Sequence, residues 1–305
     1  MNFDFKSIKV LVIGDLMIDN YIMGSSSRLS PEAPVPVILP TNNFSIAGGA
    51  ANVAMNMSSL GAKVTCAGVI GNDSWGEKLL SILNKEGIVC KHIDKIKNFN
   101  TTLKQRIFSN DRQIARIDSE EYLEQKCSFM NESFDNYDVV VLSDYNKGVL
   151  TTDWFKRPKS TTVFLDPKKS FINFNQCDII TPNLNELKQL SGDKINSEND
   201  IKKSCDKILK KYNIQYVIAK RGSEGITIIG KNGYEKHLKA RFVKNADVTG
   251  AGDTVISSIS LAFAVTKDIL KSTEFAINAS ALAVTKPGTA TVTINEINNY
   301  ISKNE

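Results

Sequence analysis

Short apolar runs recur along the chain, separated by stretches in which apolar residues return every three or four positions. Ile8 to Ile13 is a β-branched run that stops at Gly14-Asp15. A run apolar on both faces suits the middle of a parallel sheet. Val64 to Ile70, Val139 to Leu142, Thr162 to Leu165, Asp178 to Thr181 and Tyr216 to Ala219 read the same way, and most of them stop at polar or charged residues. Ligands of such sheets lie beyond the carboxyl ends of the strands. Helical spacing predicts helices through Leu60, over Gly76 to Lys85, Asn199 to Tyr212, 254–267 and 271–286, with a short one from Asn295. A polar helix is expected near Glu120 to Phe134. Ile226 to Gly233 and Tyr234 to Leu238 read as a hairpin. The strand–helix alternation predicts an α/β fold.

A second group of segments does not fit that alternation. Met17 to Gly24 and Val35 to Leu39 read as short extended pieces around the proline-broken loop Ser25 to Pro34. Thr101 to Ile107 and Gln113 to Ile117 read as a hairpin around Ser109-Asn110-Asp111. These pieces predict a small β-lid, about 16–44 and 98–118, on a single domain spanning 1–305. The span from Lys147 to Asp166 should hold a truncated crossover helix, because Pro158 interrupts it.

Composition narrows the chemistry. Of 305 residues, 42% are hydrophobic, enough for a sizeable core. The 38 basic and 33 acidic residues leave a small, dispersed excess, which suits small anionic ligands and disfavours nucleic acid as the partner. Five cysteines lack CxxC spacing and read as free thiols of a cytoplasmic protein. Two distant histidines argue against a histidine triad or metal site. No signal pattern precedes Lys9, and no apolar run approaches the roughly 18 residues of a membrane span.

Two glycine clusters carry candidate chemistry. Asp247-Val248-Thr249-Gly250-Ala251-Gly252-Asp253 precedes an apolar helical stretch, so its peptides would sit at a helix N-terminus and favour an anion. Asp253 there reads as the base of a phosphoryl transfer; the residues fit a plain helix cap as well. Ala47-Gly48-Gly49-Ala50-Ala51-Asn52 would let backbone and the Asn52 amide approach a polyhydroxyl ligand, and it fits tight helix packing equally.

Together these clusters, in this order and roughly 200 residues apart, resemble both signatures of the ribokinase-like (PfkB) carbohydrate kinases. Ser258 departs slightly, since Ala or Gly is usual there. Ile13 to Asp19, Ser27 to Val37, Leu142 to Gly148, Asp166-Pro167-Lys168 and Thr181 to Glu186 resemble the heptose 7-phosphate kinase branch of that family, in which the kinase is often fused to a nucleotidyltransferase.

The resemblance implies a three-layer α/β/α sandwich with a mostly parallel sheet and a β-lid. It implies ATP-dependent transfer to O1 of D-glycero-β-D-manno-heptose 7-phosphate, in surface-sugar (lipopolysaccharide) biosynthesis. A kinase for another sugar or a non-catalytic sugar-binding protein are the alternatives. Asp253 would be the base, and Gly250, Ala251 and Gly252 the anion hole. Asp15, Asp19, Gly48, Gly49 and Asn52 would meet sugar hydroxyls. Arg28, Lys104, Arg106, Asp144 and Lys168 are candidates around the rest of the acceptor, with the basic ones suited to its phosphate. Asn183, Leu184, Asn185, Glu186, Lys220, Arg221, Gly222, Gly225 and Asn278 would lie along ATP. Asn183 and Glu186 would organise Mg²⁺ through water, and Asp247 and Thr249 a monovalent cation such as K⁺. A homodimer through the lid is implied.

Overall fold

The computed structural model describes residues 3–131, 134–151, 157–168 and 177–304. In chain order the strands begin with β1 (Lys9–Gly14), β2 (Leu16–Ser25), β3 (Leu39–Gly49), β4 (Lys63–Gly71), β5 (Val89–Ile96), β6 (Thr102–Ser109) and β7 (Arg112–Ser119). They continue with β8 (Val139–Ser143), β9 (Thr162–Asp166), β10 (Ile179–Ile180), β11 (Tyr216–Lys220), β12 (Ile226–Gly230) and β13 (Tyr234–Leu238). The helices are α1 (Ala50–Ser59), α2 (Ser74–Lys85), α3 (Leu184–Ser191), α4 (Glu198–Tyr212), α5 (Ala251–Thr266), α6 (Ile269–Ala283) and α7 (Ile294–Asn304).

The central sheet has nine strands in the order β13-β12-β11-β10-β9-β8-β1-β4-β5. Every neighbouring pair from β11 to β5 is parallel; β12 and β13 add an antiparallel hairpin at one edge. Alternation along the strands feeds two cores. Val10, Val12, Val139, Val141 and Phe164 pack with α1, α2, α5 and α6. Leu11, Ile13, Val140, Leu142, Val163 and Leu165 pack with α3 and α4. The result is a three-layer α/β/α sandwich whose parallel strands are buried on both faces, as their unbroken apolar runs require.

A second, four-stranded sheet runs β3-β2-β6-β7. β2 leaves the end of β1 after one residue, Asp15, and β3 returns into α1 at Gly49. The two sheets are therefore covalently continuous at the carboxyl edge of the first.

Several expectations are corrected. The polar helix near Glu120 to Phe134 is not formed over its described residues, which hold only a 3₁₀ turn at Ser128–Asn131. Val35 to Leu39 is mostly outside any strand, and the strand is Leu39–Gly49 instead, so Gly48-Gly49 close a strand before the helix starts. β5 and α3 form in segments to which the sequence reading assigned no element. No helix occupies the described residues around Pro158, and 152–156 lie outside them.

Candidate active site

The N-terminus of α5 is built by a left-handed residue. Gly250 has φ 75° and caps the helix without a side chain. A Cβ there would also meet Thr289 Cγ2 at 2.9 Å and Asn52 Nδ2 at 3.1 Å, so the turn needs glycine twice over. Ala251 N–H donates to the Val248 carbonyl at 3.2 Å, and the first-turn N–H groups of Gly252 and Asp253 have no helical acceptor.

Asp253 is not the cap of that helix. Its side chain, 5% exposed, turns instead to two donors from distant segments. Asn52 Nδ2 on α1 donates to Oδ2 at 2.6 Å, and the Tyr145 hydroxyl donates to Oδ1 at 2.7 Å. Burial pushes the carboxyl up to about 6; the two hydrogen bonds and Lys220 oppose that, and Asp166 adds to it. A carboxylate so placed is ionised near neutral pH and close to taking a proton.

The cleft beside it measures about 670 Å³. One wall comes from the second sheet: Met17 and Asp19 on β2, Gly49 on β3, Lys104 and Arg106 on β6. Arg106 forms an ion pair with Asp19 and lies over the Tyr21 ring. Gly48 is behind this pair rather than on the cleft surface: a Cβ there would strike Asp19 Oδ2 at 2.6 Å. Lys104 lies over the Tyr145 ring at 5.9 Å and Lys168 over the same ring at 5.3 Å. Burial holds the Lys104 ammonium below its ordinary range, although Asp19 and Asp118 oppose that.

Toward the other end the cleft meets the carboxyl ends of β9 and β11. Lys220 pairs with Asp166, and Thr181 Oγ1 donates to Asp166 at 2.6 Å. Burial works to lower the Lys220 pKa, but Asp166 and Glu186 outweigh it and raise it. Its ammonium is 3.4 Å from where a Cβ on Gly252 would sit, hence beside the helix N-terminus. Asn183 and Glu186 form a reciprocal capping box on α3, and Lys168 reaches the second oxygen of Glu186 at 3.3 Å. Beyond them lies an apolar slot of Val255, Ile277, Ala281 and Val284, with Phe242 on its rim 92% exposed.

Of the sequence candidates, Asp19, Gly49, Lys104, Arg106, Lys168, Asn183, Glu186, Lys220, Gly222, Gly225, Thr249, Gly250, Ala251, Gly252 and Asp253 line this one cleft. Others do not. Asp15 is a buried anchor: it accepts the backbone N–H groups of Tyr145, Lys147 and Val149, and burial, then Asp144, pushes it up to about 6. Asp144 accepts the N–H of Asn146 and Lys168. Arg221 is spent on Glu198 and Glu224. Asn278 accepts from Arg241 and donates to the Glu274 carbonyl. Arg28 lies exposed in the β2–β3 connection. Leu184 and Asn185 are ordinary first-turn residues of α3 outside the lining. Asp247 accepts from Thr249 N and Gly288 N, which hold its carboxyl low against burial.

Tyr145, Asp166 and Thr289 belong to the cleft and were not singled out. Tyr145 and Asp166 had a signal, since each stands at or just past a strand's carboxyl end; Thr289 had none.

Comparison with known proteins shows the family. The model of the pfkB family carbohydrate kinases matches residues 7–296. The chain belongs to that family. It is 37% identical over 308 residues to the bifunctional protein HldE of Haemophilus influenzae strain PittEE, covering 98% of this chain and 64% of the relative. The HldE of Shewanella sediminis is 35% identical over 311 residues, at 98% and 65% coverage. The chain thus spans about 64% of the length of the curated relatives it matches. The fold matches the Arabidopsis thaliana ribokinase complexed with ribose and ATP at TM-score 0.76, with 20% identity over 97% of this chain and 99% of that one. It matches Escherichia coli phosphofructokinase-2 in complex with potassium at TM-score 0.74, with 17% identity over 98% and 99%. Among the described residues no helix is long and apolar enough to cross a membrane.

Proposed function

We propose that this pfkB kinase phosphorylates O1 of D-glycero-β-D-manno-heptose 7-phosphate with ATP, giving the 1,7-bisphosphate for nucleotide-activated heptose used in surface sugars such as lipopolysaccharide. The observation that carries the reading is a buried carboxylate at a glycine-capped helix N-terminus sharing one cleft with Lys104, Arg106 and Lys168. The first is suited to activating a hydroxyl; the second set is suited to an acceptor that is itself anionic. The HldE relatives point to the same substrate class.

In this reading Asp253 takes the proton of the acceptor hydroxyl as its oxygen bonds to the γ-phosphorus and the bond to the β-phosphate bridge breaks. The N–H groups of Gly252 and Asp253, with Lys220, stabilise charge on the transferring group, whereas Ala251 N–H is held by the Val248 carbonyl. Asp19 and Arg106 meet sugar hydroxyls, and Lys104 and Lys168 the sugar phosphate. The apolar slot around Ile277 and Val284 receives the adenine.

Asn183 and Glu186 fit Mg²⁺ through water, because the capping box and Lys168 already occupy their facing oxygens; the ion, when bound, neutralises phosphate oxygens. Asp247 and Thr249 fit a monovalent cation, since the buried Thr289 hydroxyl, next to the Gly288 that Asp247 holds, has no hydrogen-bond partner among the described residues. We further infer that two copies pair through the second sheet and that the kinase works in the cytoplasm.

The test is ADP release from ATP and Mg²⁺ with heptose 7-phosphate against fructose 6-phosphate and ribose. Preference for heptose 7-phosphate is expected. A better rate with either competitor would move the assignment to another sugar, and ATP binding without turnover on any of them would remove the kinase reading.

A further inference from the structure

We infer that Tyr145 is a positioning residue for the proposed transfer: its hydroxyl fixes Asp253, and its ring carries the two ammonium groups that face the acceptor's phosphate. This rests on the kinase reading above.

Three contacts place it there. The hydroxyl donates to Asp253 Oδ1 at 2.7 Å, while Asn52 holds Oδ2 at 2.6 Å. Each carboxylate oxygen has two acceptor directions, so one direction on each stays open to a sugar hydroxyl. The carboxylate cannot swing, and the open directions are fixed in space. The ring meanwhile lies under Lys104 at 5.9 Å and Lys168 at 5.3 Å. An aromatic face attracts ammonium groups without neutralising them, which leaves the Lys104 charge available to an anion, while Lys168 also pairs with Glu186 at 3.3 Å. One side chain therefore sets the spacing between the base and the cationic pair.

Tyr145 is itself held from behind. Its N–H donates to the buried Asp15 at 2.7 Å, and Lys147 and Val149 donate to the same carboxylate. The loop after β8 is thus tied to the residue joining the two sheets.

The hydroxyl acts as a donor and not as a base. Burial, Asp253 and Asp166 keep it protonated well above the ordinary tyrosine range. The groups facing Asp253 are Asn52 from α1, Tyr145 after β8, Asp166 from β9 and Lys220 from β11; Asp19, Lys104 and Lys168 surround the tyrosine. Among these, Asn52, Tyr145 and Lys220 favour the ionised base. Removing the hydroxyl takes away a stabiliser of the carboxylate, so Asp253 must titrate at higher pH.

Two substitutions separate the hydroxyl from the ring. With heptose 7-phosphate and MgATP, Tyr145→Phe should move the acid limb of kcat/KM upward by about half to one pH unit, as expected for one lost hydrogen bond to a carboxylate. Its loss should be larger near pH 6 than near pH 8, with the acceptor KM little changed. Tyr145→Leu should add a rise of roughly tenfold in acceptor KM, the scale of a lost cation–π platform. A pH-independent loss in Tyr145→Phe, or an equal acceptor KM in both variants, overturns the inference. Titrating the Asp253 carboxyl by ¹³C NMR, assigned with Asp253→Asn, gives a reading that does not need turnover. An unchanged midpoint in Tyr145→Phe would sink the idea even if no sugar tried were a substrate. Absence of wild-type turnover with an upward-shifted midpoint would instead retire the kinase reading and keep the contact.

Discussion

Asp253, the base we propose, shows what a buried carboxylate costs. Its carboxyl sits near 6 in the fold against 3.8 when free, chiefly through burial. A raised acid pKa means that the folded state holds the proton more tightly than the unfolded chain. That contribution to stability is fully present below about pH 3.8 and is lost as pH rises through about 6. At pH 7.5 the protein therefore bears the full penalty of an ionised, buried carboxylate. Asp253→Asn should lower turnover by roughly 10²–10⁴-fold, the usual worth of a positioned base. The same variant should unfold at higher urea concentration at pH 7.5, with a gain on the order of 1–3 kcal/mol that shrinks toward pH 4. Near-normal turnover would remove the base assignment, and a gain independent of pH would remove the titration argument. Gly48 is a residue of the other kind, one whose side chain must be absent. In Gly48→Ala the new methyl would displace the Asp19 carboxylate and with it Arg106. A higher acceptor KM at unchanged ATP KM is expected from steady-state kinetics.

At the level of elements, α5 joins a reactive end to an apolar shaft. From Asp253 to Phe263 it is buried throughout, so any polar group on it must find a partner. Ser257 and Ser260 bond backward to Asp253 and Ile256 carbonyls. Ser258, the position where the family favours Ala or Gly, has a buried hydroxyl without a partner among the described residues. Ser258→Ala should raise stability by about 1 kcal/mol, since the cost of an unsatisfied hydroxyl disappears. Thermal melts check this, and a loss of stability would reveal a hidden partner. Such detail marks where sequence reading stops. The parallel strands were legible because burial on both faces leaves an unbroken apolar run. The helix α5 and its glycine turn were legible because Gly250 and the apolar stretch after it have few other uses. The segment around Glu120 to Phe134 misled because polar residues at helical spacing carry no record of what they pack against; its described residues hold no α-helix, and Leu123 N–H bonds to the Lys147 carbonyl. Arg221 misled for a related reason. The resemblance placed it along ATP, but Glu198, 23 residues away, and Glu224, three residues on, take it. Partners brought by the fold decide what a charged residue does.

For the molecule as a whole, the cleft depends on two sheets holding station. The central sheet brings the helix N-terminus and the Asp166–Lys220 pair, and the second sheet brings Asp19, Lys104 and Arg106. The second sheet has edge strands β3 and β7 that are exposed along most of their length, with Leu39, Phe44, Ile114 and Ile117 open to solvent. Open edges carrying apolar side chains invite pairing with another strand. Pairing of two copies there would bury these side chains and stiffen the wall proposed to hold the acceptor. Sedimentation should find a dimer, and the double variant Ile114→Lys, Ile117→Lys should shift it toward monomer. Because β6 is hydrogen-bonded along β7, with Arg106 opposite Arg116, loosening that edge acts on Lys104 and Arg106 first. The monomeric variant should therefore show a raised acceptor KM while the ATP KM, set by the central sheet, holds. A monomeric wild-type chain, or a dimer untouched by both substitutions, would place the contact elsewhere. A variant that dissociates yet keeps its acceptor KM would show that the second sheet stands without a partner.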